Sequence, residues 1–357
     1  MKTFNSKNRT GSAALLVIVL MVPLLGLLAF SIDYGFLLFV QTDLQRTADQ
    51  AALAAVRELT PDQYGNQDLA KVRATVREYV QLNLGDDFVV QDSDIEIGRY
   101  DSPKIYDELV ILNTGIFDTV RISLRRDEEA NHSVVLYFAK LIDHDAAGVS
   151  VQAAAVLQRA RYIGPGADVF PFAIEQKAWN VLGQGETLAI YGDGRIEDEF
   201  GQQIPGNWGT VDIGSASNSA SSLSNQILSG LTQDDLDSLY NQNRISTTEY
   251  IDSGLVIKLN GDTGLSAGLK FAVRDVETQM RIAPVYREMI GQGGNLEFEI
   301  IEWVAIEVVN SSWHGSQNSS IEVRKSYIYD QNLFPVNDLS DLTETIGGAY
   351  TVAVLVE

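Results

Sequence analysis

Three stretches of this sequence carry residue types at spacings that could do chemistry. Gly264-Leu-Ser266-Ala-Gly268 reads Gly-x-Ser-x-Gly, where a serine on a sharp strand-to-helix turn exposes its hydroxyl as a nucleophile. Asp275 and His314 follow in the serine, aspartate, histidine order that a triad on such a turn requires. Asp92-Ser-Asp94-Ile-Glu96 opens like a calcium loop, and Asp143-His144-Asp145 sets carboxylates beside an imidazole.

Each competes with a plainer reading. The apolar run before Ser266 ends near Leu259, and no alternation of strands and helices surrounds it. A glycine-rich turn fits better, and an anchored serine hydrolase stays as an alternative. An EF-hand begun at Asp92 would need glycine at Ile97 and glutamate at Pro103, so that pattern fails. An irregular calcium site elsewhere stays open. Asp143-His144-Asp145 reads as a solvated turn between strands. His132, His144 and His314 have no ligand-like spacing. Trp179, Trp208, Trp303 and Trp313 read as core anchors, with Asn207-Trp208-Gly209 best placed to present a ring at an edge. The expectation is a non-enzymatic chain with no catalytic, cofactor or metal residues. A surface module binding a glycan or calcium is the alternative.

Composition narrows the classes. The 357 residues carry a formal charge of −22, with 45% hydrophobic residues and no cysteine. Disulfides, thiolate metal sites and cysteine nucleophiles are excluded. The acidic balance argues against nucleic acid and anionic headgroups as partners. The charge is uneven: Lys2, Lys7 and Arg9 fall in the first eleven residues, with no acid.

The elements that position these residues begin with an anchor. No charge interrupts residues 11–32, and a spanning helix needs about 20 apolar residues. Pro23 lies inside the run, where membrane helices tolerate it. Flanking lysine and arginine favour the cytoplasmic side, which places Asp33 onward outside. A cleaved signal peptide with a site at Ala29-Phe30-Ser31 is the competing reading, but the run exceeds the usual apolar core of about 7–15 residues. The helical pattern continues over residues 33–59. Leu37, Val40, Leu44, Ala48, Ala51 and Ala55 form one apolar stripe, and Thr60-Pro61 is a natural stop. One rod over residues 12–59 would be about 70 Å long. The stripe suits either the chain's own sheet or a neighbouring subunit.

Arg9-Thr-Gly11-Ser-Ala-Ala-Leu, Pro23, Ser31-Ile-Asp33-Tyr-Gly35 and Asp43-Leu-Gln45-Arg-Thr-Ala-Asp49-Gln-Ala-Ala-Leu-Ala-Ala55 together resemble the N-terminal segment of TadE/TadG-like proteins of the bacterial Tad (Flp) pilus-assembly system. The match covers about 50 residues closely, with Gly11, Pro23, Asp33, Gly35, Gln45 and Asp49 as its motif positions. Val120–Arg125, Val134–Ala139 and Val149–Ala155 look like the strand-rich remainder of a TadG-like domain, and Pro205–Gly214 fits the same context more loosely. Two features depart from the pattern. Leu16 is the fifth residue from Ser12, where type IV pilins carry glutamate, so prepilin-type cleavage is not carried over. Asp212-Ile-Gly214-Ser-Ala-Ser217 misses the Asp-x-Ser-x-Ser motif of von Willebrand A-like domains, so their metal site is not carried over either.

The resemblance implies a membrane-anchored, minor pilin-like or scaffold subunit of the bacterial inner membrane, contributing to adhesion. Its N-terminus would be cytoplasmic and its bulk periplasmic or extracellular. The partners implied are the membrane and other pilus-assembly proteins, and an oligomer stays open. The expected class is α+β: a transmembrane helix continuing as a long packing helix, an antiparallel-sheet domain, then a second mainly-β domain. Residues 1–11 are expected as a tail, 12–32 as the span, 33–163 as a TadG-like α+β domain and 167–357 as a mainly-β domain, with Gly164-Pro-Gly166 between. Residues 67–84 should form a second helix. Strands are expected at 95–98, 109–112, 120–124, 134–138, 149–156, 188–191, 211–213, 255–259, 296–309, 321–329 and 350–356, with helices at 222–229 and 232–240.

Overall fold

The computed structural model describes residues 10–101, 110–112, 115–214, 219–291, 296–315, 318–335 and 345–356. Residues 1–9 of the expected tail, Leu109 of an expected strand, Pro103 and Ser217 lie outside the described residues.

Helix α1 runs unbroken from Thr10 to Arg57, through Pro23. Its end tightens into short-range bonds from the Glu58, Leu59 and Thr60 N–H groups to the carbonyls of Ala55, Val56 and Arg57, just before Pro61. Helix α2 spans Leu69–Leu84. Its cap is Asp68, whose Oδ1 accepts the Lys71 N–H at 2.9 Å, so the helix starts two residues later than the expected 67. Gly85 closes it with φ +95°, a conformation that favours glycine.

The strands follow in chain order. The first group is β1 (Ile95–Asp101), β2 (Val110–Leu112), β3 (Thr119–Arg126), β4 (Val134–Val135), β5 (Ala146–Ala147) and β6 (Val149–Ile163). Next come β7 (Phe172–Glu175), β8 (Thr187–Tyr191), β9 (Ile196–Asp198), β10 (Gln203–Ile204), β11 (Trp208–Val211), β12 (Ile251–Asp252), β13 (Ile257–Thr263) and β14 (Gln279–Ile290). The last are β15 (Leu296–Ser312), β16 (Ser320–Lys325), β17 (Ile328–Tyr329), β18 (Leu333–Pro335) and β19 (Ala349–Val356). One sheet runs in the order β17-β19-β6-β3-β1-β2, with β12 and β18 also on β6. A second runs β10-β9-β8-β16-β15-β13-β11-β7-β14, and β14 pairs back onto β15. That return closes β15, β13, β11, β7 and β14 into a five-stranded barrel, which removes their free edges. The fold is α+β.

The chain divides into two compact units. The first comprises Met1–Ala52, Ala74–Glu96 and Arg121–Ala154; the second Leu53–Arg73, Ile97–Val120 and Ala155–Glu357. In the first, Leu44, Ala48 and Ala51 of α1, Val76 and Val80 of α2, and Ile122, Leu124 and Val151 of the strands are buried. In the second, neighbouring barrel residues alternate between two cores. Val304 and Ile306 join the cluster of Phe170, Phe172 and Trp208. Trp303 and Ala305 join that of Tyr286 and Phe298.

This division replaces the expected boundary at Gly164-Pro-Gly166. The β6 strand runs on to Ile163, where it pairs with β12 and β18. A Cβ on Gly164 would lie 2.9 Å from the Asn332 carbonyl oxygen, and the Gly166 N–H donates to the Leu231 carbonyl at 2.6 Å. The glycines thus serve a tight crossing inside the second unit, not a linker. The extension of β6 was hidden by polar Gln158, Arg159 and Arg161, the last paired with Asp252 at 2.9 Å. The twelve-residue β14 was not expected at all. Pro284 interrupts its pattern, yet it sits opposite Trp303 within the ladder to β15.

Candidate functional site

The site is built on α1 and the loop that meets it. Among the described residues α1 is the one helix long and apolar enough to cross a membrane. Its large apolar side chains from Leu16 through Phe30 are exposed, unlike those of a soluble core helix. Exposure continues past the expected exit at Asp33, through Tyr34 and Leu38 to Phe39. Residues 16–39 span about 35 Å at the helical rise, slightly more than the ~30 Å hydrocarbon core of a bilayer.

Higher on the helix the environment reverses. Val40, Leu44, Ala48, Ala51 and Ala55 are buried and Leu37 is half-buried. The stripe is therefore covered by this chain itself. Alanines let the facing backbone come close, and Gln45 fixes the approach. Its Nε2 donates to the Gln152 carbonyl on β6 at 2.9 Å and to Asp49 Oδ1 at 2.8 Å. Two motif positions thus form one polar latch inside the first unit. Gly35 differs, since a Cβ built there meets nothing within 4 Å. Gly11 and Pro23 lie on the continuous helix.

Asp33 does the most local work. It is 3% exposed although it sits in the apolar part of α1. Its Oδ1 accepts the Tyr137 N–H at 2.8 Å, and its Oδ2 accepts those of Phe138 and Ala139 at 2.9 and 2.6 Å. These groups open a short 3₁₀ turn, Ala139–Ile142, at the tip of the β4–β5 hairpin. A helix start has N–H groups without internal acceptors, and Asp33 supplies the acceptor from another element. The Phe36 ring meets Tyr137 edge-on, with centroids 5.6 Å apart. The strand expected over 134–138 accordingly shrinks to Val134–Val135: the Leu136 N–H still donates across the hairpin to the Asp145 carbonyl at 2.9 Å, but those of Tyr137 and Phe138 bond the carboxylate instead of a ladder.

The other candidate chemistry is dispersed. Strand β13 runs to Thr263, beyond the expected Leu259, and Ser266 then caps a 3₁₀ turn ahead of the short helix Lys270–Asp275. A strand-to-helix turn is thus present. The Ser266 hydroxyl accepts the Gly268 N–H at 3.4 Å, and Ser266, Asp275 and His314 are each exposed with no hydrogen bond joining them. Asp92 pairs with Arg77, Glu96 with Arg121 at 2.8 Å, and Asp94 lies 3.8 Å from Arg125. Asp143, His144 and Asp145 lie on an exposed turn, with Asp143 at φ +62°. Among the described residues no group of three or more His, Cys, Asp or Glu is placed to hold a metal ion. Trp208 is fully buried and its Nε1 donates to the Tyr191 carbonyl at 2.7 Å, so it presents no ring at an edge. Trp179 and Trp303 are also buried, and Trp313 is half-buried.

The Asp33 clasp was missed in the sequence because its donors are backbone groups, which no side-chain pattern announces. The Asp-x-Gly spacing at the end of the apolar run was the available signal. No curated protein and no solved structure matches the chain. Residues 11–58 match the family described as "Putative Flp pilus-assembly TadE/G-like", a span that nearly coincides with α1 and holds Asp33, Gly35, Gln45 and Asp49, so it is the N-terminal helix of this chain that is similar to that family.

Proposed function

We propose that this chain is a non-enzymatic, membrane-anchored component of Tad (Flp) pilus assembly, a minor pilin-like or scaffold subunit that contributes to surface attachment. One observation carries the reading: the family segment is a single helix divided into an exposed apolar half and a half latched into its own domain. Such a helix holds a folded body at a fixed height above a bilayer. Lys2, Lys7 and Arg9 before the span support a cytoplasmic N-terminus in the inner membrane, with the body on the far side. Because the stripe is covered by the chain itself, contacts with other pilus components fall elsewhere, on the exposed span or the outer body.

Deletion of the gene is expected to abolish piliation and surface attachment, with recovery by the full chain. In-cell photocrosslinking from Leu24 and Leu28, both exposed on α1, is expected to capture another Tad component. Normal pili and normal attachment after deletion would refute the assignment. Digestion of the body by protease added to spheroplasts, with the N-terminus protected, checks the orientation.

A further inference from the structure

We infer that the β4–β5 hairpin tip is a second membrane contact, an apolar foot that inserts into the lipid interface beside α1; this rests on the reading of α1 as a membrane span. Val135, Tyr137, Phe138, Leu141 and Ile142 are all exposed within eight residues, Leu141 at 79% and Ile142 at 71%. Exposed apolar clusters on a folded body mark contact surfaces. This one is fixed in place. The three N–H bonds to Asp33 and the ring contact of Phe36 with Tyr137 hold the tip against the apolar part of α1. There the helix itself exposes Phe30, Ile32, Tyr34, Leu38 and Phe39. Tip and helix therefore offer one continuous apolar surface, with tyrosines at the level where amphipathic rings favour the lipid boundary.

The arrangement also accounts for an aspartate at this depth. Asp33 lies about 25 Å above Leu16 at the helical rise, inside or at the upper edge of a ~30 Å core. Polar groups are tolerated there when protein groups satisfy them, and the hairpin brings three donors. Charge does not favour anionic lipid over neutral lipid. Lys140 is accompanied by Asp143 and Asp145, and the whole chain carries −22. The foot is thus an apolar insertion, expected on zwitterionic bilayers and insensitive to salt, not a basic patch held by headgroup charge.

The chain has no cysteine, so single labels can be placed directly. Full-length Leu141→Cys, Ile142→Cys and Leu24→Cys would each carry an environment-sensitive fluorophore in phosphatidylcholine vesicles. Blue-shifted emission, quenching by lipid-attached nitroxide and protection from iodide are expected at all three positions, from low to high salt. Introducing Asp33→Ala should expose the labels at 141 and 142 while leaving that at 24 in lipid. Lipid quenching at 24 with iodide access at 141 and 142 would overturn the foot and leave the anchor standing. Absence of lipid quenching at all three would defeat the anchor reading itself. Protection of 141 and 142 from iodide without lipid quenching would assign the surface to a second copy of the chain and also overturn the proposal.

Discussion

Asp33 and Ala139 lie 106 positions apart, and the carboxylate of one accepts the backbone N–H of the other at 2.6 Å. With the Tyr137 and Phe138 N–H groups on the same carboxylate, the bond ties a loop tip to a fixed level on α1. Removing the acceptor leaves the start of the 3₁₀ turn without partners. Asp33→Ala is expected to raise amide hydrogen exchange at residues 137–139 by about tenfold or more, with the buried half of α1 unchanged. Asn keeps one acceptor oxygen but turns an amide toward other donors, so Asp33→Asn should fall between. Unchanged exchange at 137–139 in both variants would mean that the clasp does not hold the tip.

The buried stripe makes a second prediction. Ala51 and Ala48 are fully buried, so a larger side chain has no space without displacing its neighbours. Ala51→Leu should destabilise the body by about 1–3 kcal/mol, seen as a lower Tm. Leu24→Ala, on the exposed half, should leave the Tm of the body unchanged. If the stripe instead served a neighbouring subunit, Ala51→Leu would spare stability and abolish assembly alone.

What the sequence disclosed follows from how local each signal is. The continuity of α1 and the apolar stripe on it lie within one periodic segment, where spacing alone reports the face; what covers the stripe, and the bond of Gln45 to Gln152, depend on residues about a hundred positions away. The helix ends were nearly as legible, because Pro61 and Gly85 act on their immediate neighbours. Val134–Phe138 misled for the opposite reason: β-branched and aromatic residues in a row favour a strand, and the competing acceptor comes from over a hundred residues away. Pro284 hid β14 because proline weighs against a central strand, and the barrel closure that accommodates it is a long-range fact. The glycines at 164 and 166 look the same whether they serve a flexible joint or a close crossing. Only their neighbours Asn332 and Leu231 distinguish the two.

Asp118 provides a test that is independent of the membrane. Its Oδ1 accepts the Tyr100 N–H at 2.6 Å and the Thr119 hydroxyl at 2.8 Å. Burial pushes its carboxyl above the usual range, outweighing these bonds and the pull of Arg159 and Arg99. A raised folded pKa means that the folded state holds the proton more tightly than the unfolded chain does. The penalty is then full above the folded pKa and is relieved as pH falls through it toward the ordinary carboxylate value. Both bonds use the same oxygen, so an asparagine can retain them without the charge. Asp118→Asn should melt at or above the wild type at neutral pH, with the gap narrowing on acidification. A lower Tm with a gap that does not vary with pH would show that the charge itself is wanted.

Gly35 separates folding from function most cleanly. It lies within α1, and a Cβ there meets nothing within 4 Å. Alanine is favoured over glycine inside a helix by roughly 1 kcal/mol, so Gly35→Ala should leave the body as stable or slightly more so. Nothing inside the chain then explains a glycine two residues after the clasped Asp33. If close approach of another molecule or of lipid requires that bare backbone, Gly35→Ala should reduce piliation and Gly35→Leu should reduce it further, while both proteins reach wild-type levels in the membrane. Counting pili by electron microscopy beside membrane immunoblots decides it. Full piliation in Gly35→Leu would show that this face of α1 touches nothing that discriminates by size, and would move the search for a partner to the outer body.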